Sequence, residues 1–193
     1  VVRAAPLSPE ARRASIVAAT LPLLRIHGRD VTTSQIAMAA GVAEGTLFRV
    51  FPDKEALIEA AIASAFDPAP GEAELARIDR GLPLRDKLIE AIEILQRRVS
   101  QIWQLISVMR LPAPPPERTR PPPHVDDTRL RAQLVVLFEP HRAELRCPPE
   151  QAARLFRALA FAGSHPRIID QPLTPHELVT LLLDGISARD EEP

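Results

Sequence analysis

Residues 32–59, TTSQIAMAAGVAEGTLFRVFPDKEALIE, constrain the fold more than any other stretch of this chain. They read as two short helices joined by a glycine turn, followed at once by the start of a third. Thr32 is placed to N-cap the first, with Gln35 three residues on, the spacing of a capping box that satisfies two orphan backbone donors. Ile36, Ala37 and Ala40 share one face, and the alanines let a second helix approach closely. Gly41 stops this helix where a left-handed residue costs least, and Val42 plugs the turn. The next helix is expected over 43–51, with Leu47, Val50 and Phe51 available to the core. Pro52 then breaks the chain, and Asp53 can cap a helix carrying Leu57, Ile58, Ala61 and Ile62. This is the arrangement of a helix-turn-helix, which presents one helix to the DNA major groove.

An Ala-Gly-Val corner alone is common in helical hairpins that never touch DNA. Here it stands with Ile16, Ala19, Gly28, Thr32-Thr33, Ile36-Ala37, Gly45-Thr46-Leu47-Phe48, Phe51-Pro52 and Lys54-Glu55-Ala56-Leu57. Over about residues 10–63 the chain resembles the tetracycline-repressor (TetR) family of bacterial transcriptional regulators. The resemblance implies an all-α homodimer with an N-terminal three-helix helix-turn-helix domain, here 8–64, and a helical ligand-binding and dimerisation domain, here 65–189.

The DNA-binding set follows from that frame. Glu44, Gly45 and Thr46, in the first turn of the second motif helix, are the expected base readers. Glutamate accepts from cytosine N4, threonine meets an edge or the thymine methyl, and glycine permits close approach. Arg49 can pair with guanine or phosphate. Thr32 and Thr33 open the first motif helix, and Thr33 and Lys54 stand where family members contact phosphates. Phe48 stands where the family commonly has tyrosine, Val50 where it has histidine, and Ala43 replaces the usual polar cap. Phenylalanine cannot donate the tyrosine's hydrogen bond, so phosphate affinity is expected to be lower or redistributed to Arg49. The same departures support an alternative, a TetR-like fold that has lost operator binding and serves as a ligand-binding or protein-interaction module.

The formal net charge of −1 over 193 residues means that DNA affinity must come from a local patch. Arg3, Arg12, Arg13, Arg25, His27 and Arg29 supply one. A single cysteine, Cys147, excludes an intramolecular disulfide and a cysteine-rich zinc site, and fits a reducing cytoplasm. No apolar run is long enough to span a membrane. No G-x-S-x-G, phosphate-cradling glycine loop or Cys-His signature occurs, and His124, His141, His165 and His176 lack the spacing of metal ligands on one helix. The expectation is a cytoplasmic protein that is not an enzyme and needs no metal or cofactor.

Elsewhere the periodicity is helical. Helix 1 should begin at Ser8-Pro9 and bury Ile16, Ala19, Leu23 and Leu24, with Pro22 kinking its last turn. Residues 67–83 look turn-rich, with a single helical turn. Leu84, Leu88, Ile92, Leu95, Val99, Ile102, Ile106 and Met109 recur at steps of three and four, giving one helix about 40 Å long at about 1.5 Å per residue. Seven prolines in 112–123 forbid helix there. A helix resumes near 126 through Leu130, Leu134, Leu137 and Phe138, and breaks at Pro140. Further helices are expected over about 149–164 and 175–188. Their apolar surplus, with Ala152, Ala158, Ala162 and Gly163 permitting close approach, points to dimerisation through this last pair. Trp103, Met109, Phe138, Phe156 and Phe161 are the expected apolar lining of an effector pocket, with His124 or His141 as polar anchors. The expected function is a homodimeric repressor that grips a pseudo-palindromic operator and is released by a small, mainly apolar effector.

Overall fold

A computed structural model describes residues 8–111 and 128–186. They form nine α-helices and two 3-10 segments, with no strand among them. The proline-rich stretch 112–123, His124 and Arg3 lie outside the described residues. The chain divides into two compact units. The first takes the described part of Val1–Asp67 and Ile102–Pro114, and the second takes Pro68–Gln101 and the described part of Pro115–Pro193.

In the first unit, α1 (Pro9–His27) starts where the Ser8 hydroxyl accepts from the Ala11 amide, with proline in the first turn, where its missing N–H costs nothing. The helix continues through Pro22 to His27 and ends at Gly28, which opens a 3-10 turn over Gly28–Asp30. α2 (Thr33–Ala40), α3 (Glu44–Val50) and α4 (Lys54–Phe66) follow. Asp53 caps α4 by accepting from the Ala56 amide at 2.8 Å. Ile16, Leu24, Val31, Ile36, Leu47, Phe51, Leu57 and Ile58 fill the core between them. Leu105 and Met109, from the end of α6 (Leu84–Met109), are buried in the same core.

The second unit holds α5 (Ala69–Ala76), the earlier part of α6, α7 (Thr128–Phe138), a 3-10 segment over Glu139–Glu144, α8 (Pro149–Ala162) and α9 (Pro175–Ile186). The expected single turn before residue 84 is in fact the two-turn α5. Proline is tolerated in its first turn, and Leu75 is buried in the unit's core. Leu88, Ile92, Leu134, Phe138, Phe156, Leu178 and Val179 form the centre of that core. A Cβ on Gly163 would come within 2.6 Å of Leu178 Cδ2 and 3.1 Å of the Leu159 carbonyl oxygen, so the glycine leaves room for the Leu178 side chain of α9 at the end of α8. Thr174 and Glu177 complete a capping box at the start of α9, with the Glu177 carboxylate accepting from the Thr174 amide at 2.8 Å.

Candidate nucleic-acid interface

The turn that aims α3 is built as its sequence requires. Thr32 and Gln35 exchange both bonds of the capping box, the Thr32 amide donating to Gln35 Oε1 at 2.8 Å and the Gln35 amide to Thr32 Oγ1 at 3.1 Å. Gly41 sits at φ 66°, ψ 32°, and the Val42 amide behind it donates to the Ala37 carbonyl at 3.0 Å. α3 then turns Leu47 inward and leaves Glu44, Gly45, Phe48 and Arg49 exposed, with Thr46 half-buried. A Cβ at Gly45 would meet nothing within 4 Å, so this position leaves open space in front of the helix.

Two predicted contacts bond each other: the Thr33 hydroxyl donates to the Glu44 carboxylate. That bond fixes Glu44 against the start of α2 and leaves its second oxygen for an outside donor. Lys54 donates to the Arg29 carbonyl at 2.8 Å, which holds the ammonium at the beginning of α4 with two further protons to offer. Arg29 pairs with Glu55 at 2.6 Å; both are more than half exposed, so this pair adds little stability.

The arginines of α1 divide by role. Arg13 lies over the Phe51 ring, and Arg12 does not: it lines a cleft of about 420 Å³ with Pro9, Val42, Ala43, Thr46, Arg49 and Val50. Arg12 and Arg49 come from different helices, and neither has an ion-pair partner among the described residues. Arg12 figured in the sequence only as one of a basic run; the fold brings it to α3. Arg25 is half-buried, and burial lowers its pKa from the ordinary arginine range.

Residues 16–61, which contain the turn and α3 but not Pro9, Arg12 or Arg13, match the family model for bacterial regulatory proteins of the tetR family. The chain therefore carries a TetR-type N-terminal domain. It is 24% identical to a TetR transcriptional regulator from Streptomyces coelicolor, covering 92% of this chain and 99% of that one with a TM-score of 0.58. A TetR-family regulator from Mesorhizobium loti gives 18% identity, 95% and 100% coverage and a TM-score of 0.55. A structure concerned with the control of antibiotic production by bacterial hormones gives 22% identity, 91% and 97% coverage and a TM-score of 0.57. These likenesses speak to the fold alone. A search of curated proteins finds no match.

The residues expected to line an effector pocket are dispersed. Met109 is buried in the core of the first unit, and Trp103 is half-buried in the same unit. Phe138 and Phe156, fully enclosed in the second core, pack edge to face with centroids 5.9 Å apart. His141 Nε2 accepts from the buried Lys87 ammonium at 3.1 Å, and Nδ1 meets the Glu144 carboxylate at 3.1 Å. Phe161 is exposed on α8 beside the His165 ring. Among the described residues no helix is long and apolar enough to cross a membrane, and no three His, Cys, Asp or Glu side chains gather as metal ligands.

Proposed function

We propose that this TetR-family regulator is a homodimeric repressor whose two α3 helices enter successive major grooves of a pseudo-palindromic operator, and that a small molecule held by the second unit releases it. The observation that carries the reading is the outer face of α3. Gly45 is open, Thr46 lies beside it, and the Arg12–Arg49 cleft adjoins them as a seat for a backbone phosphate. Thr46 and the free oxygen of Glu44 read base edges, while Arg12, Arg49, Lys54 and Thr33 hold phosphates.

Dimerisation is supported by the apolar residues left exposed on the last two helices. Leu155, Ala158 and Phe161 on α8 and Leu181 and Gly185 on α9 lie in water in a single chain. A second copy would cover them, and paired reading heads supply the two half-sites that one short helix cannot. Release requires an effector that prefers the conformation in which the heads are wrongly spaced, since only differential affinity shifts an equilibrium. α6 contributes side chains to both cores and is the element suited to carry that preference.

A second reading is that the fold has lost operator binding and serves as a ligand-binding or protein-interaction module. Ala43 gives α3 no side-chain cap, and Phe48 is exposed without a donor to offer a phosphate. Selection of purified protein against random duplex DNA at two salt concentrations separates the two. Recovery of a palindromic site supports the repressor, and recovery of nothing above background supports the module.

A further inference from the structure

α3 opens on a carboxylate, the group least suited to a face offered to a polyanion. Glu44 is the first residue of α3 and is exposed, and Gly45 beside it puts no side chain into the space in front. Among the described residues no cation is bonded to Glu44, and Arg12 and Arg49 of the neighbouring cleft do not pair with it. Its partner is the hydroxyl of Thr33, the first residue of α2 and eleven positions earlier. That bond crosses the corner and joins the two helices of the motif.

A carboxylate only accepts, and a threonine hydroxyl has one proton to give. One oxygen of Glu44 is therefore taken, and the other is left for a single outside donor. Holding the side chain in one place also removes rotamer freedom that base recognition would otherwise cost. The bases differ in what they offer such an acceptor. In the major groove guanine shows two acceptors, thymine an acceptor and a methyl, adenine a donor beside an acceptor, and cytosine a donor alone. Only cytosine meets one fixed acceptor without setting a second acceptor against a negative charge.

We propose, on the reading that α3 enters the major groove, that Glu44 admits cytosine at one position of each half-site and that Thr33 is the positioning residue that holds it there. Where no donor meets it, the carboxylate loses water against acceptors and lies close to phosphates, which costs affinity on every other sequence. Glu44 thus works by exclusion as much as by attraction. While the Thr33 hydroxyl holds Glu44, any phosphate at Thr33 meets the backbone amide instead.

The test takes wild type, Glu44→Gln, Glu44→Ala, Thr33→Val and Thr33→Ser as full chains through selection from random duplex DNA, then measures each on one unrelated duplex. Wild type should prefer cytosine over the other bases by at least about fivefold at one symmetry-related position. Glu44→Gln should move that position to adenine, whose N6 and N7 glutamine bonds together. Glu44→Ala should lose the preference there and nowhere else, and should bind the unrelated duplex at least about twofold more tightly once the repulsion is gone. Thr33→Val should keep cytosine but cut its preference at least about threefold, the worth of one hydrogen bond, and Thr33→Ser should restore it. A merely structural Thr33 would weaken all sequences alike and leave the base preference unmoved. A palindromic site with no position that follows Glu44, a Thr33→Val preference equal to wild type, or an unrelated duplex bound no more tightly by Glu44→Ala overturns the proposal and leaves the repressor standing. Recovery of no site by wild type overturns both.

Discussion

The guanidinium carbon of Arg13 lies 4.3 Å from the centroid of the Phe51 ring, and one of its nitrogens donates to the Val50 carbonyl at 3.4 Å. This arginine therefore braces α1 against the end of α3, while its neighbour Arg12 faces the cleft beside Thr46. Arg13→Ala should lower stability to urea by about 0.5–1 kcal/mol, the range for an exposed cation–π contact. Arg12→Ala and Lys54→Ala should each weaken DNA binding across all sequences and reduce the salt slope by about one unit, a phosphate contact's worth. Salt titrations of wild type and the three variants check the division of roles.

Two glycines should respond in opposite directions to alanine. Gly28 has φ 57°, and a Cβ there would sit 3.2 Å from Val108 Cγ1 and 3.3 Å from the Val108 carbonyl oxygen. Gly28→Ala should cost about 1–3 kcal/mol through backbone strain and crowding together. Gly45 lies inside α3 with open space around it, so Gly45→Ala should stabilise the first unit by about 0.5–1 kcal/mol. It should also weaken operator binding, because the added methyl stands where a base edge approaches. Unfolding curves and DNA titrations on the same two variants show whether stability and binding separate.

The Glu177 carboxyl has its pKa lowered, first by the bond from the Thr174 amide and then by the bond from the Thr174 hydroxyl. Because the folded value lies below the unfolded one, the cap's contribution to α9 is complete above the ordinary carboxylate pKa. It is lost as pH falls through the lowered value. Thr174→Ala, which removes the hydroxyl's bond, should move the carboxyl part of the way back up. A carbon NMR titration of the Glu177 carboxyl in both proteins measures the shift directly.

Leu181 is 57% exposed on α9 and Phe161 is 42% exposed on α8. Leu155→Glu and Leu181→Glu place a charge among these residues without disturbing either core. On the dimer proposed above, each variant should sediment as a monomer at concentrations where wild type sediments as a dimer. The melting temperature of a shared monomeric reference should change little.

The parts of this molecule that were legible in the sequence are those whose partners lie within a few residues. Thr32 finds Gln35, Gly41 closes on Met38 and Ala37, and Asp53 finds Ala56, so each motif declares itself locally. α5 did not, because Pro68, Pro70 and Gly71 mask a helix that rests on burying Leu75. The stripe along α6 read as one continuous helix, and its period did not reveal that Leu88 and Ile92 serve one core and Leu105 and Met109 another. Aromatic residues drew attention as pocket walls, yet Phe138 and Phe156 fill the centre of a core. Glu72 sits in an acidic, alanine-rich run like any solvated helix face; only tertiary packing buries it. Arg12 likewise gained meaning only when α1 was set beside α3.

The claim that α3 reads bases is tested most directly by repeating the random-duplex selection with Thr46→Ala beside wild type. The account predicts two palindromic preferences that coincide except at one symmetry-related position in each half-site, where the variant's preference is relaxed. Identical preferences from the two proteins would contradict it, and would mean that another surface meets the grooves.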